Sequence, residues 1–372
     1  MKKFLLLCLL LVHPNFAFAQ EMRAALLAPL SGKEASLGQA LLDAGLLALK
    51  ERRAPLILMP YDSGATAESA RKSAAQAINE NTALILGPPF AALTPAVAEE
   101  ARRAALPDLS FSNDNNLAGQ GVYMMGITPE AEAEKLIAYA LSQGMKRIAV
   151  LAPDTIFGRA MADVVRSQAR VHGFKITNIV TYPPEGGEGL RQAVRRAAQG
   201  DYRNIPAFTK RGGGENAAAT AKPPTYDTLL VAEAGPAIHL IAPLLTYYGV
   251  EAKNIRLLGP SSWENAAVKE PALQGAFIAG LDLEKRKNFE NKFQSYFGYA
   301  PPRIAFTAFD AVMIAGEIAR HGTEWNFLHR PEGFEGAAGR VRLLPSGITE
   351  RDLTINQLTA QGPRPWNRGG EG

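Results

Sequence analysis

The chain has 372 residues, 47% of them hydrophobic and 20% charged. That is long enough for two domains with cores of their own, and too apolar for a disordered, collagen-like or disulfide-scaffold chain. The formal net charge is +4, two of the positives are Lys2 and Lys3, and the remaining Lys and Arg are spread among acids. No basic patch points to nucleic acid.

Residues 1–19 read as a signal peptide. Lys2-Lys3 form a basic start, Phe4 to Val12 a short apolar run, and Ala17-Phe18-Ala19 an A-x-A cleavage signal. Cleavage is expected before Gln20, releasing the chain into the periplasm without a membrane span, because the apolar run is too short to serve as one. The single cysteine, Cys8, lies inside this leader and follows Leu7 rather than a small residue. Lipidation is therefore not expected, and the mature chain can hold neither a disulfide nor a thiolate metal site.

Beyond the leader the chain alternates. Arg23 to Pro29 is a strand, broken by Ser31-Gly32, and Leu37 to Leu49 has helical spacing with Gly38 and Gly45 on it. Leu56 to Tyr61 is a strand, Ala67 to Asn79 a helix, Ala83 to Leu86 a strand, Thr94 to Ala104 a helix and Asp108 to Phe111 a strand. The series restarts after Thr128-Pro129: helix Glu130–Gln143, strand Arg147–Ala152, helix Phe157–His172, strand Lys175–Tyr182, helix Leu190–Ala198. Strand Thr228–Ala232, helix Pro236–Tyr248 and strands Ile255–Leu258 and Phe277–Gly280 follow. Continuous apolar runs of strand length between helical repeats mark parallel sheets with crossover helices. Two such series predict an α/β protein with two sheets.

Between the second series' halves, 203–225 is rich in Gly, Ala and Pro and reads as a flexible surface insertion. It contains no phosphate-binding glycine motif. The last residues, 361–372, read as a tail.

No catalytic constellation emerges. His172, His239, His321 and His329 form no metal-ligand spacing, and no G-x-S-x-G elbow occurs. Ser69-Ala70-Arg71-Lys72 matches S-x-x-K but falls mid-helix. No enzyme, cofactor or metal is expected. In an open parallel sheet a ligand sits beyond the carboxyl ends of the strands. Those ends are Leu30 to Lys33, Asp62-Ser63, Gly87 to Phe90, Ser110 to Asp114, Asp154 to Gly158, Glu233 to Gly235 and Gly259 to Trp263. They combine hydroxyls, amides, small residues and a few aromatics, the chemistry of a ligand cleft.

The segments Leu26-Leu27-Ala28-Pro29-Leu30-Ser31-Gly32, Tyr61-Asp62-Ser63, Leu86-Gly87-Pro88, Asp154-Thr155-Ile156-Phe157-Gly158 and Phe309-Asp310-Ala311-Val312 occur in the order found in type I periplasmic binding proteins of the leucine-binding branch, which the chain resembles. The resemblance implies two Rossmann-like lobes joined by three crossovers, with the ligand in the cleft between them. Lobe 1 would be 22–127 plus 282–328, and lobe 2 would be 128–281 plus 329–360. It would gather Ser31, Phe90, Ser112, Asn113, Phe157, Glu233, Ser261 and Trp263 around one cleft. The family's amino-acid clamp falls on Ala91 and Asp114 where hydroxyls hold the carboxylate, and on Ser261 where an acid holds the ammonium. Leucine-type ligands are therefore expected to bind weakly.

A second set of segments is similar to alphaproteobacterial penicillin-binding protein activators: Ile241-Ala242-Pro243-Leu244-Leu245, Arg256-Leu257-Leu258-Gly259, Gly333-Phe334-Glu335-Gly336 and Arg340-Val341-Arg342-Leu343. The expectation is a non-enzymatic periplasmic binding protein, taking a small molecule or a peptidoglycan-related ligand, with a penicillin-binding protein as partner. The alternative is the solute-binding subunit of an ABC importer for amino acids or another small polar molecule, with a permease as partner.

Overall fold

The computed structural model describes residues 21–198, 224–266, 269–321 and 325–366. The leader lies outside these residues, and so does the 203–225 insertion except for its last two positions. Strands β1 (Met22–Ala28), β2 (Leu56–Asp62), β3 (Leu84–Leu86), β4 (Asp108–Ser110) and β5 (Val122–Met124) form a parallel sheet in the order β2-β1-β3-β4-β5. β1 is apolar throughout because both of its faces are covered. Ala24, Leu26 and Ala28 join a core with α1 (Ala35–Arg52), while Ala25 and Leu27 pack against α2 (Ala67–Asn79) and α3 (Thr94–Arg103).

Local chemistry sets the helix starts. A Cβ on Gly38 would lie 2.0 Å from the Pro29 carbonyl oxygen, so only glycine lets α1 rest on the end of β1. At α2, Thr66 Oγ1 accepts from the Ser69 N–H at 3.1 Å and Ser69 Oγ accepts from the Thr66 N–H at 3.2 Å. Ser69 of the S-x-x-K match is thus half of a reciprocal helix cap.

The chain leaves the first sheet after Met124 and enters α4 (Pro129–Ser142). Thr128 Oγ1 caps that helix through the Ala131 N–H, and Pro129 occupies its first turn, where a missing N–H costs nothing. The second sheet then forms from β6 (Arg147–Pro153), β7 (Lys175–Tyr182), β8 (Thr228–Val231), β9 (Arg256–Gly259) and β10 (Phe277–Gly280), all parallel. Its helices are α5 (Ile156–His172), α6 (Gly187–Ala197) and α7 (Ile238–Tyr247). After β10 the chain returns: α8 (Leu283–Phe297) and the almost wholly buried α9 (Ala305–His321) both pack on α1 of the first lobe.

The C-terminal part departs from the expectation. Residues 329–360 were expected with the second lobe. Instead β11 (Phe334–Gly336), β12 (Gly339–Leu343) and β13 (Thr349–Arg351) make a small antiparallel sheet of their own. It is tied to the first lobe by the Met124 N–H donating to the Gly347 carbonyl at 3.0 Å and by a buried ion pair, Arg351 Nη1 to Asp310 Oδ2 at 2.6 Å. Arg351 also donates through Nε and Nη2 to the Met125 carbonyl, at 3.1 and 2.9 Å. The Asp310 of the Phe309-Asp310-Ala311 segment therefore fastens α9, the small sheet and the crossover at Met125 together. Burial pushes the Asp310 carboxyl upward, with the Arg351 charge opposing.

Only β14 (Thr354–Thr359) joins the second sheet, antiparallel beside β10, and β15 (Gly362–Pro365) pairs with β14. That sheet is therefore mixed rather than wholly parallel, in the order β15-β14-β10-β9-β8-β6-β7. The expected tail at 361–372 begins instead as an edge strand. It covers β14 backbone groups that would otherwise be unpaired, and Trp366 stacks edge-on against Phe277 at 5.0 Å.

Candidate functional site

The carboxyl ends of both sheets converge on a cavity of about 350 Å³. The first lobe supplies Pro89 after β3, Phe111 and Asn113 after β4, and Gly126 and Ile127 at the crossover. It also supplies Arg303, Ile304, Phe306 and Thr307, from the entry into α9. The second lobe supplies Glu132 from the first turn of α4, Phe157 from α5, Ala234 after β8, and Pro260, Ser261 and Ser262 after β9. Larger cavities, about 490 to 780 Å³, lie along α4 against β14, the small sheet or α5, and beside the start of β1. None of these lies at the strand ends of both lobes, so position rather than volume selects the site.

Of the residues read from the sequence, Asn113, Phe157 and Ser261 line this cavity. The other five do not, and each has a local reason. Ser31 is exposed after β1, beside the Asp62 carboxylate that it hydrogen-bonds. Phe90 packs half-buried on the α2–α3 core. Ser112 is buried, and its Oγ accepts from the Asp114 N–H at 3.2 Å. Glu233 accepts from Tyr182 Oη and from the Gly235 N–H, closing its own loop. Trp263 was expected to offer a flat apolar surface, but it is only 1% exposed. Its Nε1 donates to the Glu233 carbonyl at 2.7 Å, and its ring occupies the space where a Cβ on Gly259 would stand.

The crossover and α9 side of the cavity was missed from the sequence, including both of its charged residues, Glu132 and Arg303. Arg303 follows Pro301-Pro302, far along the chain from every strand end, and only the return of α8 and α9 to the first lobe brings it to the cleft. It is exposed and has no hydrogen bond or ion pair among the described residues. Glu132 sits one turn into the helix that follows Thr128-Pro129, and it is 3% exposed. Its Oε1 accepts from the N–H and the hydroxyl of Ser261, whereas Oε2 is buried with no partner. Burial pushes this carboxyl up to about 7; the Ser261 hydroxyl, the Arg303 charge and the Ser261 N–H pull it back, and the nearby Glu264 adds to the rise.

Chemically the cavity is an apolar box, lined by Phe111, Phe157 and Phe306, with one acid, one base and a few neutral hydrogen-bonding groups among the described residues. Among the described residues no group of acids, histidines or cysteines could hold a metal ion, and no helix is long and apolar enough to cross a membrane.

The same architecture recurs in known proteins. A periplasmic ligand-binding protein of a branched-chain amino acid ABC transporter from Burkholderia xenovorans LB400 superposes with a TM-score of 0.73 at 14% identity, covering 93% of this chain and 94% of that one. An ABC transporter substrate-binding protein from Desulfitobacterium hafniense, in complex with Leu, gives 0.67 at 18% identity over 93% and 100%. A solute-binding protein of an ABC transporter from R. palustris, in complex with benzoate, gives 0.61 at 16% over 93% and 95%. At these identities the likeness is one of fold. No curated protein matches in sequence. The family model described as periplasmic binding protein matches residues 21–324, which is most of the chain, and the chain belongs to that family.

Proposed function

We propose that this chain is the solute-binding protein of an import system. It takes one small molecule between its lobes in the periplasm and presents it to an ABC-type permease. The observation that carries this reading is the cavity itself: both lobes line it, its volume suits a small molecule, and a few polar groups stand among apolar walls. The neighbours that carry leucine or benzoate support a small-molecule ligand. No catalytic role is part of the reading. A peptidoglycan-related ligand and a penicillin-binding protein partner, the other outcome read from the sequence, find no support among these neighbours.

Native mass spectrometry of the protein, purified without denaturant, tests the reading. A single small-molecule adduct that is lost on unfolding is expected. Capture of periplasmic and membrane partners should bring down a permease. Capture of a penicillin-binding protein with no small-molecule adduct would overturn the proposal.

A further inference from the structure

Resting on the cleft as the solute site, we propose that it selects a small aromatic monocarboxylate, held between the guanidinium of Arg303 and a protonated carboxyl on Glu132. The argument begins with the hydrogen bonds Glu132 lacks. Oε1 is engaged by Ser261, while Oε2 is buried without a partner on a residue that lines the cavity, so a ligand reaches it by a small turn of the Glu132 side chain. An ionised carboxylate with one bare oxygen is costly in such a place, so the proton belongs on Oε2. Once protonated, Oε2–H is a donor that has no hydrogen-bond partner among the described residues.

Arg303, on the opposite lobe, is the mirror case. It is the only base lining the cavity and has no carboxylate of its own among the described residues. With Glu132 neutral the cavity carries one uncompensated positive charge, so a monoanion balances it. One carboxylate oxygen can accept from Arg303 and the other from the Glu132 hydroxyl, and both bonds are charge-assisted. A dicarboxylate would leave a second charge unpaired. A zwitterionic amino acid would need Glu132 ionised, with no donor left for Oε2 but the ammonium itself. The charged groups that act on Glu132 are Arg303 and Glu264, and Glu264 is itself engaged by Arg286 at 2.6 Å. Phe157, with the small exposed parts of Phe111 and Phe306, gives the remainder of the ligand an aromatic, apolar lining suited to a ring.

Calorimetric titration of the mature protein with benzoate, benzamide and leucine at pH 6 and pH 8 tests this. Benzoate should bind, and benzamide, the same shape without charge, should bind at least about tenfold more weakly. The benzoate Kd should be about tenfold weaker at pH 8 than at pH 6, because only the protonated Glu132 is competent. In Glu132→Gln that pH dependence should vanish, since an amide donates at both pH values. In Arg303→Gln benzoate should weaken at least about tenfold at both pH values while the melting temperature stays put. Leucine binding tighter than benzoate, and lost in Glu132→Gln, would make Glu132 an ammonium partner and overturn the proposal while leaving the solute-binding reading intact. A native adduct that is not a monocarboxylate would do the same. Absence of any ligand in both calorimetry and native mass spectra would overturn the solute-binding reading and the proposal together.

Discussion

In the first lobe several polar groups at the strand ends are used up locally. Asp62 Oδ1 accepts from the Leu30 and Gly64 N–H groups, each at 2.9 Å, and burial of this carboxyl is outweighed by those bonds and by Ser31, so its pKa is lowered. Thr94 and Ser110 bond each other at 3.1 Å. The second lobe builds its strand ends alike: a Cβ on Gly158 would lie 2.2 Å from the Pro153 carbonyl oxygen, as Gly38 meets Pro29. Yet beside those ends it keeps Glu132 Oε2 unpartnered, in a cavity that it shares with a first-lobe Arg303 that forms no ion pair among the described residues. The difference teaches that residue type at a strand end says little about binding. Hydrogen-bonding capacity left over beside a shared cavity says more.

The contrast can be broken first at its most fully used charge. Arg351→Ala should cost about 3–5 kcal/mol in chemical denaturation, because Asp310 is left buried and unpaired. A loss below about 1 kcal/mol would mean that the pair does not fasten the C-terminal sheet.

The next test is the pH profile of Glu132→Gln. Folded Glu132 sits at about 7 against an ordinary 4.5, so between those values the folded state binds more protons than the unfolded one. Wild-type stability from this group is full below pH 4.5 and is lost as pH rises through 7. The variant should gain about 3 kcal/mol on wild type between pH 4 and pH 8. Parallel stability curves would show that Glu132 is not buried as a lone acid.

Smaller effects sharpen the same contrast. Asp62→Ala strands two N–H groups and should cost about 1–3 kcal/mol by urea denaturation, without touching the cavity. Arg303→Gln should change stability by less than about 0.5 kcal/mol, since an exposed, unpaired side chain supports nothing. A large loss there would show that Arg303 is already committed to the fold.

Much of the architecture was legible because it rests on periodicity. Most parallel strands with both faces buried, such as Leu84–Leu86 or Thr228–Val231, are short apolar runs. Val122–Met124 carries that mark and escaped because it is only three residues long, whereas the late strands lack it. Thr354–Thr359 is polar and half-exposed, and Gly362–Pro365 holds two prolines, which argue against a strand except at an edge. The site was legible only where strand ends define it, as at Asn113, Phe157 and Ser261. Trp263 looked like cleft surface because nothing in the sequence shows that Gly259 makes room for it in the core. Glu132 looked like an ordinary first-turn acid, which the helix dipole favours anyway. Arg303 reaches the cavity through tertiary structure alone.

The Arg351 fork has a consequence for the entropy of binding. Its Nε and Nη2 grip the Met125 carbonyl, and the next two residues, Gly126 and Ile127, are part of the cavity wall. Fixing a free backbone residue costs about 1–2 kcal/mol. At this wall that freedom is surrendered during folding, to a charge that no ligand has to displace. An incoming solute meets a surface already preorganised, and its contacts there count toward affinity without first ordering the chain.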